Sequence, residues 1–183
     1  EAAVFDYLKK SERYPLVFVH GFNVRYEDAL LRAAQIAYDL KYQGPIVLYS
    51  WPAGARDGFL DEKIITRTYD HNLKNAQDSV ALFKNFLNQL NANHLTVNLV
   101  VHSMGHQVAL PALKDFSAQN PDAKIINELI LNAPDFEADE FINIAAAIKD
   151  NTKRITIYCS YNDRAMTVSE IYNKNPRFGA CAF

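Results

Sequence analysis

One serine in this sequence stands where a strand pattern gives way to a helix pattern. A largely apolar stretch at 97–101 runs into the tetrapeptide His102–Gly105, and apolar residues at helical spacing follow. A serine at the apex of such a sharp turn is a nucleophile elbow, whose hydroxyl is exposed for attack on an acyl carbon. Ser103 is therefore the candidate nucleophile, and Gly105 lets strand and helix approach. Val101 departs from the strict G-x-S-x-G pattern, and the alternative is a serine that caps a helix.

Two aspartates are candidates for the acid that a catalytic serine requires. A serine hydroxyl becomes nucleophilic when a base takes its proton and a carboxylate orients that base. Asp163 follows the fifth predicted strand and Asp135 follows the fourth. We prefer Asp163, because the loop after the second strand beyond the elbow is the usual place for the acid, and we keep Asp135 as the alternative. Either aspartate could instead serve a turn or cap a helix.

Acyl transfer also needs hydrogen-bond donors for the developing oxyanion. The backbone N–H of Met104 begins the helix after the elbow, and the N–H of Phe22 lies in the loop after the first strand; these are the predicted donors. Gly21 allows that loop to approach closely, and His20 is predicted to support it rather than to act as a base. Asn23 either bonds within the loop or contacts substrate, and we keep it as a candidate substrate-binding residue.

Aromatic residues after the second strand are candidates for substrate binding. Trp51 and Phe59 could form an apolar wall for an acyl group, and Trp51 is our substrate-binding prediction. The alternative is that both aromatic side chains cover the edge of the sheet.

The general base is the missing part of this constellation. In elbow hydrolases the base follows the acid along the chain, yet no histidine follows Asp163. The five histidines are His20, His71, His94, His102 and His106. For each of them a structural or solvent-exposed position is predicted.

The elements that position these groups alternate between strand and helix patterns. Short apolar runs predict buried strands, and apolar residues three and four positions apart predict amphipathic helices. The predicted strands are 15–20, 46–50, 97–101, 124–132 and 154–159, and the predicted helices are 2–10, 26–42, 73–90, 106–116 and 141–148. Between 54 and 68 no period is present, which predicts a loop over one edge of the sheet.

This alternation predicts a three-layer α/β/α sandwich with about five parallel strands in the order 2-1-3-4-5. Ligands bind at the carboxyl ends of such strands. The polar candidates His20, Ser50, Ser103, Asp135 and Asp163 all fall there. A flavodoxin-like or Rossmann binding domain would have a similar sheet, but no glycine-rich phosphate loop follows the first strand.

Size and composition limit the remaining possibilities. The chain has 183 residues, 49% of them hydrophobic, and a formal net charge of -2, which predicts one domain over 1–183. No basic cluster indicates nucleic-acid binding, and no apolar run predicts a membrane span. The two cysteines have neither zinc nor redox spacing, and we predict no function for them. The compartment stays open, with the cytoplasm slightly favoured, and the oligomeric state stays open too.

Several separated motifs resemble one bacterial family of α/β-hydrolases filed as a domain of unknown function. They are VFVHGFNV, EDALLRAAQIAYDL, GPIVLYSWP, VVHSMGHQV, LILNAPDFEADEF and ITIYCSYNDRAM. The resemblance implies the α/β-hydrolase fold, Ser103 as nucleophile, Asp163 as acid, and Phe22 and Met104 as oxyanion donors. In the family pattern a histidine follows a further strand beyond the region matching 177–180, and strands precede the HGF segment. The chain is therefore expected to be a core truncated at both ends.

The predicted activity is serine-dependent hydrolysis of a small-molecule acyl ester, of esterase or lipase type, through an acyl-enzyme. No metal or organic cofactor is implied. The alternative is an inactive pseudo-hydrolase that binds a ligand or a partner in the same cleft. The absent base favours that alternative, whereas the intact elbow and HGF loop favour the enzyme.

Overall fold

The strands form one parallel sheet in the order that the sequence predicts. The computed structural model describes residues 2–54, 62–160, 169–170, 172–173 and 175–181. The strands are β1 (Leu16–Val19), β2 (Ile46–Tyr49), β3 (Val97–His102), β4 (Ile126–Asn132) and β5 (Thr152–Tyr158). They lie in the order β2-β1-β3-β4-β5, and each neighbouring pair is parallel. The predicted α/β architecture is confirmed.

Helices precede the first strand and connect the strands that follow. They are α1 (Ala2–Lys9), α2 (Tyr26–Asp39), α3 (Glu62–Ala92), α4 (His106–Gln119) and α5 (Ala138–Ile148). Short 3-10 turns occupy Ser103–Gly105 and Phe178–Ala180. None of the described helices combines the length and the apolarity that crossing a bilayer requires.

Two helix boundaries differ from the predicted ones. The helix α3 begins at Glu62, so the loop predicted up to residue 68 is wrong over its last turns. A helix that is nucleated by its apolar face extends by one backbone hydrogen bond per residue, and this extension needs no apolar period. The helix α2 ends at Asp39 rather than at the predicted residue 42, and Leu40, which follows it, is 61% exposed.

Alternate residues of the central strands face different helices. Val17 and Val19 belong to the larger core cluster, which contains side chains of α3, α4 and α5. Leu16 and Phe18 point to the other face and pack with Ala33 of α2. Period-two alternation in strands with two apolar faces therefore places helices on both sides of the sheet.

The strand β2 is less buried than its sequence predicts. All four of its residues are only partly buried, although the apolar run IVLY predicts a strand covered on both faces. The sheet order explains the difference, because among the described strands β2 lies at an edge and pairs only with β1.

A disulfide joins the end of β5 to the C-terminal segment. Cys159 is bonded to Cys181, 22 residues further along the chain. The prediction that the cysteines have no role missed this pair, because sequence spacing does not encode which cysteines meet. Backbone hydrogen bonds hold the same segment against the end of β4, from Phe178 N to Phe136 O at 2.9 Å and from Gly179 N to Pro134 O at 2.8 Å.

Candidate active site

The turn after β3 has the geometry of a nucleophile elbow. Ser103 has a φ of 50°, a left-handed conformation that is unfavourable for a non-glycine residue. A 3-10 turn over Ser103–Gly105 leads directly into α4. The serine is partly exposed, and its hydroxyl makes no hydrogen bond within the described residues. Strained backbone at a turn that presents a serine side chain is typical of a functional site.

Two glycines let this turn pack tightly against the end of β1. A β-carbon on Gly105 would lie 2.6 Å from the carbonyl oxygen of His20. A β-carbon on Gly21 would lie 2.9 Å from Cβ of Ser103 and 3.0 Å from Nδ1 of His102. The distances of 2.6 Å and 2.9 Å are too short for a real β-carbon unless something shifts, so each side of the contact favours glycine. The elbow and the HGF loop are therefore direct neighbours.

The predicted oxyanion donors lie on the two sides of this contact. Within the described part of the chain, neither the N–H of Phe22 nor the N–H of Met104 has a hydrogen-bond acceptor. Met104 is fully buried, whereas Phe22 is partly buried. Two backbone donors without an acceptor in the described structure, beside a candidate nucleophile, are what an oxyanion hole would require.

A side chain of α3 is hydrogen-bonded to the loop after β1, which contains His20, Gly21 and Phe22 (the HGF loop). Asn23 has a φ of 51°, and its N–H donates to Oδ1 of Asn72 at 3.1 Å. Asn72 is completely buried, and its Nδ2 donates to Thr68 O at 2.8 Å. The contact of Asn23 with substrate stays a prediction. Asn72 was not among the predicted residues, although a polar side chain at a core position of an amphipathic helix is a signal for it.

His20 is a buried part of the scaffold. Its Nδ1 lies 3.1 Å from Gly21 O, and its Nε2 accepts the N–H of Trp51 at 3.2 Å. Ser50 Oγ lies 3.3 Å from the same Nε2. Burial lowers the pKa of His20 from its ordinary value of 6.5, and the hydrogen bonds to Gly21 and Trp51 oppose that shift only in part. The ring is therefore neutral, with its proton on Nδ1.

Trp51 is a buried residue that supports the loop. Its indole is 3% exposed, stacks on His20 with ring centroids 5.4 Å apart, and donates from Nε1 to His20 O at 2.8 Å. Trp51 also borders a cleft of about 380 Å³ between β2 and the start of α2. Its role in substrate binding stays a prediction, and Phe59 lies outside the described residues.

His106 stands directly below the elbow. Its Nδ1 lies 2.6 Å from Ser103 O, and no part of its side chain is exposed. Burial lowers its pKa to about 3, with the hydrogen bond to Ser103 opposing the shift and His102 adding to it. Because a carbonyl oxygen only accepts, Nδ1 carries the proton. Nε2 is then a buried acceptor without a partner in the described structure.

In the described structure, no histidine bonds to the hydroxyl of the candidate nucleophile. All five histidines lie within the described residues, and none forms a hydrogen bond with the Ser103 hydroxyl there. His71 is exposed on α3 beside Asn75, and His94 has a φ of 54° in the turn before β3, at the opposite end of the sheet. The sequence prediction of structural or solvent-exposed positions agrees with these placements.

Asp135 is the centre of a buried polar cluster. Its carboxylate accepts from Ser169 Oγ at 2.6 Å and from Tyr69 OH at 3.0 Å, and it lies 3.3 Å from Nε of Arg177. Asp135 and Arg177 are 2% and 6% exposed. Burial, followed by the charge of Asp135, raises the pKa of Tyr69. The helix N-cap that the sequence offered as its alternative role belongs to Glu137 instead.

This cluster reaches both sides of the candidate site. The Tyr69 ring lies 5.9 Å from the ring of Phe22, and Gln107 of the elbow helix donates to Asp135 O at 2.8 Å. Asp163, the preferred acid, lies outside the described residues. Within the described residues, no group of histidine, cysteine and acidic side chains could hold a metal ion.

Comparison with known proteins agrees with this fold. A family model described as an alpha/beta hydrolase of unknown function (DUF900) matches residues 1–183. Among curated proteins, none is significantly similar to the chain. Among solved structures, it is similar to phospholipase PlaB from Legionella pneumophila, with 18% identity and a TM-score of 0.33. That match covers 68% of this chain and 26% of the phospholipase, so the chain spans about a quarter of the other protein's length.

Proposed function

Because the chain belongs to this family of α/β-hydrolases, we propose that it is a serine hydrolase that cleaves a small-molecule acyl ester through an acyl-enzyme at Ser103. The observation that carries the proposal is the elbow itself. Ser103 has a φ of 50°, and within the described residues its hydroxyl is unbonded and lies next to two backbone donors that have no acceptor.

The reaction would follow from these positions. Ser103 Oγ attacks the ester carbonyl carbon and gives its proton to a base, while the carbonyl oxygen becomes an oxyanion that the N–H groups of Phe22 and Met104 receive. The C–O bond to the alcohol then breaks, and the base returns the proton to the departing oxygen. Water attacks the acyl-enzyme by the same route and releases the acid.

For the acid we propose Asp163 in preference to Asp135. The carboxylate of Asp135 already accepts from Ser169 and Tyr69 and is paired with Arg177. A carboxylate with these partners fixes the surrounding elements, and orienting a catalytic base would require it to give up one of them. In the sequence Asp163 comes after β5, where the resemblance to the family also puts the acid.

The base in this proposal is a histidine beyond Phe183 in a longer natural chain, as the family resemblance implies. None of the five histidines of the present sequence forms a hydrogen bond with the hydroxyl of Ser103 in the described structure. The same observation favours the second candidate function, a pseudo-hydrolase that binds ligands in the cleft without turnover.

Labelling with a fluorophosphonate probe, followed by intact mass measurement, tests the proposal. The 183-residue chain and the longest natural form are each compared with their Ser103→Ala variants, and Ser11→Ala, a serine at the far end of the sheet, is the matched control. Labelling of the longer form that disappears only in Ser103→Ala supports the hydrolase. Absence of labelling in both forms overturns it and leaves the binding module.

Two aspartate variants separate the acid from the scaffold. In the form that labels, Asp163→Asn should lose at least 100-fold in ester turnover while its melting temperature stays near that of the wild type. Asp135→Asn should instead lower the melting temperature. Loss of turnover by Asp135→Asn at full stability, with Asp163→Asn active, would make Asp135 the acid.

A further inference from the structure

We propose that two buried histidines, His106 and His20, are positioning residues that aim the two oxyanion donors of the site. This inference rests on the proposed function, because an oxyanion must form at Ser103 for the aim of the donors to matter. It concerns residues that do not themselves touch the substrate.

In the elbow, the peptide unit between Ser103 and Met104 contains the oxyanion donor. The carbonyl of Ser103 and the N–H of Met104 belong to the same planar group, so fixing one fixes the direction of the other. Nδ1 of His106 donates to that carbonyl at 2.6 Å. The imidazole therefore holds the peptide plane from behind, while the N–H of Met104 points away from it on the opposite side.

In the HGF loop, His20 and the peptide unit between Gly21 and Phe22 have the same arrangement. The carbonyl of Gly21 and the N–H of Phe22 share one peptide unit, and Nδ1 of His20 donates to Gly21 O at 3.1 Å. The far nitrogen of His20 is itself held by the N–H of Trp51 at 3.2 Å. Each predicted oxyanion donor thus has a buried imidazole on the carbonyl of its own peptide.

These hydrogen bonds also make the two N–H groups better donors. A peptide whose carbonyl accepts a hydrogen bond is polarised, and its N–H binds an acceptor more strongly in a low-dielectric environment. His20 is 1% exposed and His106 is completely buried, so water screens neither bond. Neutral imidazoles can fulfil this role without adding a charge beside the nucleophile.

The unpartnered Nε2 of His106 argues against a purely space-filling role. A buried acceptor without a hydrogen bond has a cost of about 1–3 kcal/mol, which an apolar side chain of similar size would avoid. The one polar contact that the ring does make in the described structure is the hydrogen bond to Ser103 O. That bond is therefore the feature that distinguishes histidine from leucine at this position.

Two substitutions at 106 separate positioning from packing. In His106→Asn the amide Nδ2 can take the place of imidazole Nδ1, whereas His106→Leu fills the space without a donor. In the form of the protein that labels, we expect His106→Leu to lower kcat, or the limiting rate of phosphonylation, by about 10- to 100-fold with KM nearly unchanged, since loss of a whole oxyanion donor costs 100- to 1,000-fold. His106→Asn should stay within about fivefold of the wild type.

The control is His94→Asn, a histidine substitution at the opposite end of β3, which should leave the rates unchanged. Equal rates for His106→Leu and wild type, at equal melting temperature, would overturn the inference while leaving the serine hydrolase intact. Failure of the wild type and all forms to label would instead overturn the proposed function.

Nitrogen-15 NMR of the imidazole rings tests the geometry without any turnover. Both His20 and His106 should be neutral at pH 7 with the proton on Nδ1. A proton on Nε2 of His106 would remove the hydrogen bond to Ser103 O and sink the proposal, whether or not the chain is catalytically active.

Discussion

Gly105 touches the carbonyl oxygen of His20 so closely that an added β-carbon would lie 2.6 Å from it. The obstacle is backbone, which cannot rotate aside as a flexible side chain can. This contact joins the elbow helix to the end of β1 and brings the two candidate oxyanion donors together.

Gly105→Ala should therefore destabilise the protein by about 3 kcal/mol, at the upper end of the range for overpacking. Urea unfolding would measure the change in free energy. Gly54→Ala is the matched control, because among the described residues its β-carbon would have no neighbour closer than 3.6 Å, and it should change stability by less than about 0.5 kcal/mol. Equal effects of the two substitutions would show that the close contact is absent.

The left-handed backbone of Ser103 should make glycine the better small residue at the apex. A non-glycine residue pays about 1–2 kcal/mol in this conformation, while glycine loses about 0.5–1 kcal/mol more backbone entropy on folding. Ser103→Gly should thus be more stable than Ser103→Ala by up to about 1 kcal/mol in urea unfolding. At Ala34, an exposed position within α2, Ala→Gly should instead lose about 1 kcal/mol. If the glycine variant were less stable than the alanine variant at both positions, the strained conformation of Ser103 would be contradicted.

Acid should weaken the fold through His106. In the folded protein this ring takes up a proton only when the pH falls to its pKa of about 3. In the unfolded chain the ring is protonated below about pH 6.5. Between these values the unfolded state holds more protons, so stability falls as the pH falls, by about 1.4 kcal/mol per pH unit for one such group. Between pH 7 and pH 5, His106→Asn should lose about 2 kcal/mol less than the wild type in urea unfolding. Parallel stability curves would rule out a buried neutral ring.

The Asp135–Arg177 pair should be costly to break from one side. Both side chains are almost fully buried, with Nε and Oδ1 3.3 Å apart. Asp135→Asn should cost about 3–5 kcal/mol by leaving a buried guanidinium unpaired, and the double variant Asp135→Asn/Arg177→Met should recover part of that loss. Arg154→Met, which breaks the more exposed pair with Glu128, should cost less than about 1 kcal/mol. Urea unfolding of the wild type and of these three variants would compare the changes in free energy.

The Cys159–Cys181 disulfide should stabilise the protein by about 3 kcal/mol, the chain-entropy value for a loop of 22 residues. Reductant should lower the melting temperature of the wild type and leave that of Cys159→Ser/Cys181→Ser unchanged. Thiol titration of the unfolded, unreduced protein should find no free thiol. Two free thiols would contradict the pairing.

The sequence predicted what depends on local pattern. Strand and helix periods are properties of neighbouring residues, so β1, β3 and the elbow serine were found from them, as was the strand order from chain alternation. The requirement for a small residue at Gly105 followed from the strand-to-helix turn itself.

The sequence could not predict contacts between distant elements. The carboxylate of Asp135 meets Tyr69, Ser169 and Arg177 only after the sheet, α3 and the C-terminal segment have packed. Asn72 is polar at a helix core position, which signals a buried hydrogen bond but does not identify the N–H of Asn23 as its partner. The disulfide was missed for the same reason.

The pairing of β1 with β3 also determines when the site can form. Val19 lies opposite Val101, about 80 residues along the chain, and the whole of β2 and α3 intervenes. Bringing such distant segments together has a cost in loop-closure entropy. Folds dominated by pairings between distant segments therefore fold slowly. The elbow and the HGF loop therefore cannot pack together in a nascent chain before β3 has been synthesised. A ribosome-bound intermediate that ends before β3 would contain neither the serine nor the strand against which the HGF loop must be ordered.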